Sequence, residues 1–177
     1  MSTRHIVAET TFGELTLVAD SRAVTGVYFR HHIRRPAESS FGERVTTDAL
    51  LDEAAHQIRA FLAGERRGFD LPLATHGSDV QEAVWAALRE IPYGATTTYG
   101  ALAERLDLDT SAWGVGQAVG ANPLCVLIPC HRVLGSNGTL TGYAGGLGRK
   151  RVLLDLEAAA DGTPWLPGMG AHSPGAA

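Results

Sequence analysis

The sequence predicts an α+β protein in which a small antiparallel sheet with one helix precedes a mostly helical region. Residues 5–29 alternate apolar and polar side chains, a pattern typical of a hairpin or a short meander. Apolar residues recur at helical spacing between residues 48 and 63, and three short helical segments follow within residues 78–121. We therefore expect an N-terminal domain in residues 1–77 and a C-terminal domain in residues 78–160.

The N-terminal elements are bounded by turn and end signals. Phe12-Gly13-Glu14 predicts the turn of the hairpin, and residues 31–36 (HHIRRP) predict a charged, solvent-exposed loop. Gly64 follows the last apolar residue of the predicted helix and is expected to end it. Leu71-Pro72-Leu73 is interpreted as either an edge strand or an extended linker.

Three short helices are predicted in the C-terminal domain. The first begins at Ser78-Asp79, an N-cap signal, and ends at the helix-breaking residues 91–94 (IPYG). The second spans residues 99–106, and the third begins at a capping residue, Thr110 or Ser111. The last two helices, joined by a tight turn, have the form of a helix-turn-helix, although helix pairs are common in proteins.

The third of these helices is rich in glycine. It runs to about Ala121 and contains Gly114, Gly116 and Gly120. Interior glycines cost about 0.5–1 kcal/mol each relative to alanine, and they let another backbone approach closely. The pattern leaves open whether that backbone belongs to a neighbouring helix or to another macromolecule.

A cysteine follows a short apolar run in the C-terminal domain. Leu124–Ile128 predicts a short buried strand, and Pro129-Cys130-His131-Arg132 follows where that strand is expected to stop. A free cysteine is mostly protonated at neutral pH and needs a nearby base, so a Cys-His pair at a loop is a candidate reactive site. The alternative is that Cys130 is a small buried hydrophobic residue, the interpretation that the apolar neighbours of Cys125 favour for Cys125.

The end of the chain contains one more predicted helix. Residues 149–157 form it, with Val152, Leu153 and Leu156 expected to face inward. Residues 161–177 are rich in glycine and proline and predict a disordered tail.

Composition and charge limit the class of protein. Hydrophobic residues make up 45% and charged residues 19% of the 177 residues, and no apolar run approaches the ~20 residues of a membrane span. The N-terminus lacks the apolar core of a signal peptide, so we expect a cytoplasmic protein. The net charge of −4 does not indicate a nucleic-acid binder, so any such binding would depend on local geometry. Two cysteines, five residues apart, suggest neither a disulfide framework nor a zinc site, and we expect no metal and no cofactor.

Several gapped motifs together resemble the O6-alkylguanine-DNA alkyltransferase family. They are IPYGATTTYGALAERL from Ile91, NP-x4-IPCHRV from Asn122, and G-x-LTGY-x-GGL from Gly138, followed by a short helix that ends in Leu156-Glu157. The resemblance covers roughly residues 78–157. It implies a ribonuclease H-like roll followed by a winged helix-turn-helix-like domain.

The resemblance implies DNA repair by direct, irreversible transfer of the alkyl group from O6-alkylguanine in duplex DNA to Cys130. Each molecule would act once, as a monomer and without a cofactor, and O4-alkylthymine would be a second lesion. Two other functions stay open: a protein that only recognises the lesion and hands it to another repair pathway, and an unrelated cysteine hydrolase. Family members that only recognise the lesion lack the cysteine, and a cysteine hydrolase normally takes its histidine from a distant part of the chain.

The resemblance assigns catalytic roles to Cys130, His131, Glu157, Asn122 and Tyr143. Because neighbouring residues of a strand point to opposite faces, His131 is expected to reach the Cys130 sulfur through a water molecule. Glu157 would orient the imidazole, although its local pattern alone suggests a surface residue of a helix. Asn122 would tie the DNA-binding helix to the backbone around the cysteine, and Tyr143 would offer its hydroxyl to N3 of the departing guanine.

The resemblance also assigns DNA or base contacts to Tyr99, Ala112, Trp113, Gly116, Arg132, Val133 and Ala144. The glycine-rich helix would lie in the minor groove, and the carbonyls of Cys130 and Val133 would accept from the guanine amino group. Tyr99 would press on the DNA backbone, with core packing as its alternative. Trp113 replaces the arginine that usually fills the gap left by the flipped base, so it is expected either to stack there or to pack in the core. Ala144 replaces a serine of many relatives, which removes one hydrogen bond to O6.

Overall fold

The computed structural model describes residues 2–162, and its N-terminal part is a four-stranded sheet. The strands are β1 Arg4–Thr10, β2 Gly13–Ala19, β3 Val24–Phe29 and β4 Glu43–Arg44. They lie in the order β3-β2-β1-β4, with β4 parallel to β1 and the other neighbours antiparallel. The predicted meander is confirmed, and Gly13 in its first turn adopts φ 85°, a conformation that favours glycine.

The helix α1, Ala49–Leu62, packs against this sheet. Asp48 caps it by accepting hydrogen bonds from two backbone N–H groups of the first turn, and Gly64, at φ 76°, follows its end as predicted. The stretch around Pro72 is extended and lies along the sheet edge, where a single parallel bridge joins Leu73 to Val24 of β3 and the Val24 N–H donates to the Pro72 carbonyl at 2.9 Å. It pairs at one point only and is too short to count as a further strand of the sheet. The buried side chains of α1 include those of Leu51, Ile58 and Phe61.

The C-terminal part contains four α-helices and two very short strands among the described residues. They are α2 Asp79–Arg89, β5 Thr97–Thr98, α3 Tyr99–Leu106, α4 Ala112–Gly120, β6 Val133–Leu134 and α5 Leu147–Asp161. Ser78 forms a capping box with Gln81, and Thr98 and Ser111 cap α3 and α4 through their side-chain oxygens. The helices α2, α3 and α4 pack against one another, and β5 pairs with β6 in parallel. The three helices predicted here are therefore confirmed.

The apolar run Leu124–Ile128 is not the strand that its composition predicts. It folds into a buried turn in which the Ile128 N–H donates to the Leu124 carbonyl at 2.8 Å, and Val126 adopts φ 72°. Nδ2 of Asn122 donates to the Ile128 carbonyl, and its Oδ1 accepts from the Leu124 N–H, both at 3.0 Å. Buried backbone groups need partners, and here a side chain supplies them in place of a full neighbouring strand.

The last helix, α5, is longer than the predicted range 149–157, and its inward face differs. Its buried residues recur at helical spacing; they are Lys150, Leu153, Leu154 and Glu157. The prediction is confirmed for Leu153, whereas Val152 is 51% exposed because it lies off that stripe.

The described chain ends just beyond α5. Asp161 is the last helical residue and Gly162, at φ 67°, follows it, so the predicted disordered tail does not begin at residue 161. Residues 163–177, on which the rest of that prediction falls, lie outside the described residues. Within residues 2–162, no helix combines the length and the apolar character that crossing a membrane requires.

One hydrophobic core joins the two parts of the described chain. Its buried residues come from the sheet, α1, the α2–α4 group and α5. The Val27 N–H donates to the Pro123 carbonyl at 2.8 Å, and the rings of Phe29 and Tyr143 pack edge to face at 6.0 Å. The sheet thus supports the loops that carry the cysteine. The α+β class is confirmed, while the domain division at residue 78 and the finer descriptions of the two domains stay predictions.

Candidate active site

Cys130 begins a single turn of 3-10 helix, Cys130–Arg132, directly after the buried turn. The Cys130 N–H donates to the Ile128 carbonyl at 2.8 Å, and the Arg132 N–H donates to the Pro129 carbonyl at 3.1 Å. Because the chain turns at this point, the alternation of strand residues does not apply to Cys130 and His131. Both side chains are buried.

Glu157 of α5 lies at the centre of a buried polar cluster. Its Oε1 accepts from His131 Nε2 at 2.7 Å, and its two oxygens accept from Nε and Nη2 of Arg132 at 2.9 Å each. The Gly94 N–H donates to Oε2 at 3.2 Å, and Nη1 of Arg132 donates to the Ile91 carbonyl. With a side chain only 1% exposed, Glu157 is not the surface residue that its local pattern suggests.

The charges in this cluster determine which nitrogen of His131 carries a proton. Burial alone would raise the pKa of Glu157, but the hydrogen bonds from His131 and Arg132 and the charge of Arg132 outweigh it and lower the pKa to about 2. Glu157 is therefore an acceptor near neutral pH, and the proton sits on Nε2 of His131. Burial lowers the pKa of His131, although Glu157 acts in the opposite direction. The lowered pKa favours a neutral imidazole ring. Its buried Nδ1, which has no hydrogen-bond partner among the described residues, is then a free base.

The Cys130 thiol has a pKa below its ordinary value. The first cause is a hydrogen bond from the Cys125 thiol, and Asn122 and the charge of Lys150 add to it against the opposing effect of burial. The same contact, together with burial, raises the pKa of Cys125, which therefore stays protonated; its thiol also lies within donating distance of the Asn122 carbonyl, at 3.9 Å. Cys125 is buried as predicted, but it also favours the thiolate of its neighbour, which nothing in the sequence indicated.

Lys150 is a further residue of the site that the sequence analysis did not single out. Its Nζ is fully buried and donates to the carbonyls of Val133 at 2.6 Å, Thr141 at 2.7 Å and Gly142 at 3.0 Å. Burial lowers the pKa of Lys150 to about 8, an effect that Cys130 opposes. The signal was its position one helical turn before the inward-facing Leu153, which places a lysine on the buried stripe.

A cavity of about 190 Å³ lies beside Cys130. The other lining residues are Ile33, Arg34, Tyr99, Gly116, Gln117, Val119, Gly120, Gly142, Tyr143 and Ala144. Tyr143 is 5% exposed, and its hydroxyl has no hydrogen-bond partner among the described residues. Burial raises the pKa of Tyr143 well above its ordinary value, so the hydroxyl remains protonated and able to donate.

The outer face of α4 presents small residues and one large one. Trp113 is 75% exposed, which excludes the core-packing alternative, and Ala112 beside it is also exposed. A Cβ on Gly120 would meet no atom within 4 Å, and one on Gly116 would lie an ordinary 3.6 Å from the Tyr99 ring. Internal packing therefore accounts for neither of these two glycines, and the face is open to another molecule.

Comparison with known proteins identifies the family. The profile described as "6-O-methylguanine DNA methyltransferase, DNA binding domain" matches residues 79–159. The methylated-DNA–protein-cysteine methyltransferase of Methanosarcina acetivorans is 39% identical over 154 residues, which are 86% of this chain and 97% of that protein. The chain belongs to the methylated-DNA–protein-cysteine methyltransferase family. The family named from the sequence motifs is thus confirmed.

A curated protein and a crystal structure, both from Mycobacterium tuberculosis, extend this comparison. The methylated-DNA–protein-cysteine methyltransferase of that organism is 40% identical over 146 residues, which are 82% of this chain and 86% of that protein. A crystal structure of the OGT of the same organism in complex with DNA superposes with a TM-score of 0.80. It shares 36% sequence identity and covers 91% of this chain and 95% of that one.

In this member of the methyltransferase family most predicted site residues lie together. Five of them line the cavity: Tyr99, Gly116, Cys130, Tyr143 and Ala144. His131, Glu157 and Asn122 lie in the buried layer that holds the cysteine turn. The Tyr99 hydroxyl donates to the Thr141 carbonyl at 3.3 Å, so this residue belongs to the cavity wall as well as to the edge of the core.

Two predicted contacts of this methyltransferase need correction. The Arg132 guanidinium, predicted to contact DNA, is buried and bound to Glu157, because a buried carboxylate needs a fixed positive partner. Val133, whose carbonyl was predicted to contact the guanine amino group, is fully buried and does not line the cavity. Both carbonyls assigned to the guanine amino group already accept hydrogen bonds: that of Val133 from Lys150 Nζ, and that of Cys130 from the Val133 N–H.

Proposed function

We propose that this chain repairs DNA by transferring the alkyl group of O6-alkylguanine in duplex DNA directly and irreversibly to Cys130. The observation that carries the proposal is a cysteine of lowered pKa at a cavity, followed by a histidine that a buried carboxylate holds. A thiolate is the nucleophile that displacement at an alkyl carbon requires. The family, and the complex of the M. tuberculosis relative with DNA, support duplex DNA as the partner.

In the proposed reaction, Nδ1 of His131 takes the proton of Cys130 through a water molecule. The thiolate then attacks the alkyl carbon in line, so that a sulfur–carbon bond forms while the bond from that carbon to O6 of guanine breaks. The electron pair leaves with the guanine, and the Tyr143 hydroxyl donates a hydrogen bond to N3 of the departing base. The proton taken from the thiol ends on guanine, so the step needs no cofactor. The thioether is stable, and each molecule acts once.

DNA is proposed to lie along the outer face of α4. Gly116 and Ala112 leave room there for the sugar-phosphate backbone, and Tyr99 is placed to press on the nucleotide that rotates. Flipping a base out of the duplex costs a few kcal/mol, less for a damaged base. The exposed Trp113 would stack in the gap, which is worth roughly 1–3 kcal/mol.

The surroundings of the reaction are proposed from the same residues. Ala144 offers no side-chain donor to O6, so stabilisation of the leaving group depends on Tyr143. O4-alkylthymine is proposed as a second lesion. We further propose that the protein acts as a monomer in the cytoplasm, with residues 1–77 as a domain that supports the catalytic domain in residues 78–160.

Intact-mass spectrometry after incubation with a duplex containing O6-methylguanine tests the proposed function. We expect a permanent gain of one CH2 group, located on Cys130 by peptide mapping. The unmethylated duplex and the Cys130→Ser variant are the controls and should give no adduct. Tight binding to the lesion without an adduct would instead indicate a protein that only recognises damage, and an adduct that hydrolyses with turnover would indicate a cysteine hydrolase.

A further inference from the structure

The cavity beside Cys130 has one wall that the proposed function does not use. It is formed by the loop after β3, residues 31–35, which we call the mouth loop, and which contributes Ile33 and Arg34 to the lining. The Ile33 N–H donates to the Ala144 carbonyl at 2.9 Å, and Arg34 Nη2 donates to Oε1 of Gln117 at 2.7 Å. The mouth loop is therefore fastened both to the loop that carries Ala144 and to α4.

Arg34 carries the only fixed charge among the described residues that line this cavity. The helix α4 contains no acidic or basic residue. Nearby cations have internal partners: Arg132 binds Glu157, Lys150 binds three carbonyls, and Arg149 binds the carbonyls of Phe12 and Gly145. A nucleotide that enters the cavity brings a phosphate on each side, and Arg34 is the cation placed at the entrance to meet one.

The backbone of Arg34 indicates that the arginine side chain itself is used. Its φ is 62°, in the left-handed region, where a residue other than glycine costs on the order of 1–3 kcal/mol. Hydrogen bonds of the neighbouring residues hold this conformation, with the Arg35 N–H donating to the His32 carbonyl at 3.1 Å. Glycine would adopt it without strain, so a structural role for the loop alone does not account for arginine here.

The bond from Arg34 to Gln117 is one that a phosphate can replace. It is exposed to solvent, and its acceptor is a neutral amide oxygen. A phosphate accepts from a guanidinium through two parallel hydrogen bonds and brings a full negative charge, which the amide oxygen of Gln117 lacks. The side chain is thus held close to the cavity in the free protein and is free to exchange its partner when DNA arrives.

We infer that Arg34 binds a backbone phosphate of the flipped nucleotide and gives up Gln117 to do so. The N-terminal part of the chain then completes the DNA-contact surface around the cavity. This inference rests on the proposed function, because it requires a nucleotide to enter the cavity beside Cys130.

The salt dependence of binding tests this inference. Affinity for a duplex containing O6-methylguanine is measured in a Cys130→Ser background, so that no transfer occurs. Each phosphate contact adds about 0.9 to the slope of log affinity against log salt, and Arg34→Gln should lower the slope by that amount. From about 50 to about 200 mM salt, affinity should then fall about three- to fourfold less in the variant than in its parent.

Two further variants control for charge and for position. Arg34→Lys keeps the charge and should keep the slope, although it loses the two-bond geometry and some affinity. Arg30→Gln removes an exposed arginine that directly precedes the mouth loop and pairs with Glu14, and it should leave the slope unchanged.

The outcomes separate the possible roles of Arg34. An unchanged slope in Arg34→Gln overturns the inference. The inference is also overturned if Arg34→Gln, in the protein that retains Cys130, reacts more slowly with free O6-benzylguanine. A free base carries no phosphate, so that rate should not change. Failure of the proposed function is a different result, because the wild-type protein would then gain no alkyl adduct whatever the slope.

Discussion

Replacing Glu157 by glutamine removes a charge on which two buried neighbours depend. The carboxylate is bound by His131 at 2.7 Å and by Arg132 through two bonds of 2.9 Å. Glutamine keeps the shape but leaves the guanidinium buried without a counter-ion, which costs about 3–5 kcal/mol. The fall in the pKa of Glu157 from 4.5 to about 2 gives a similar figure, about 3 kcal/mol at about 1.4 kcal/mol per unit. We expect the variant to lose about 3 kcal/mol of unfolding free energy near neutral pH.

The pH dependence of this loss follows from the direction of the pKa shift. Because the pKa of Glu157 is lower in the folded than in the unfolded chain, the carboxylate stabilises the fold fully above about 4.5. That contribution disappears as the pH falls towards about 2. Urea unfolding near neutral pH and at two acidic values should therefore show the gap between wild type and Glu157→Gln closing with acid. Glu65→Gln, the same change at an exposed carboxylate, should open no gap at any pH.

The same substitution should slow alkyl transfer while leaving DNA affinity unchanged. A positioned general base contributes about 10²–10⁴-fold to a reaction rate. Without the Glu157 carboxylate, the proton on Nε2 of His131 is no longer fixed. We therefore expect the second-order rate of alkyl transfer to be at least tenfold lower. Because Glu157 raises the pKa of His131, the limb of the pH–rate profile that reports this histidine should move to lower pH. A variant with the wild-type rate and the wild-type unfolding free energy would refute the role of this cluster.

Substitutions at four other positions test the rest of the site. Cys130→Ser should abolish transfer, whereas Cys125→Ser keeps a hydrogen-bond donor and should leave transfer largely intact. Cys125→Ala removes that donor and should shift the pH–rate profile to higher pH. Intact-mass time courses across pH measure all three effects. Trp113→Ala should slow repair of duplex DNA about five- to hundredfold, from the loss of ~1–3 kcal/mol of stacking, without changing the melting temperature. Its reaction with free O6-benzylguanine should not change, so a constant ratio of the two rates contradicts the stacking role. Gly116→Ala should add about 0.5–1 kcal/mol of stability yet slow duplex repair. The control is Gly148→Ala on α5, where a Cβ meets no atom within 4 Å, and it should only stabilise the protein. If Gly116→Ala repairs duplex DNA as fast as the wild type, DNA does not approach Gly116.

The fold was predictable from sequence wherever the end of an element is chemically marked. Ser78, Thr98 and Ser111 each cap the helix that was predicted to follow, because a side-chain oxygen there satisfies a backbone N–H that the helix leaves open. The prediction failed at Leu124–Ile128, since apolar composition indicates burial but not the partner of the buried backbone. In this run much of that partner is the amide of Asn122, and no local pattern distinguishes this arrangement from a neighbouring strand.

The candidate site was predictable in its reactive groups and not in the charges that surround them. Motif spacing identified Cys130 and His131, but the side chain of Arg132 turns inward because α5 brings a carboxylate 25 residues further along the chain to meet it. The contact between Arg34 and Gln117 joins residues that are 83 positions apart. Such pairings depend on how the two parts of the chain pack, which local patterns do not contain.

The arrangement of charges also determines how this protein has to hold DNA. Arg132 and Lys150 are both buried: Arg132 is bound to Glu157, and the charge of Lys150 favours the thiolate of Cys130. Neither can neutralise a phosphate from a buried position. The face of α4 is uncharged, so its contribution must come from close approach and from stacking by Trp113. Few released counter-ions mean a shallow dependence of affinity on salt, in keeping with a chain of net charge −4. Against so shallow a background, the single phosphate contact proposed for Arg34 becomes a large and measurable share of the electrostatic binding.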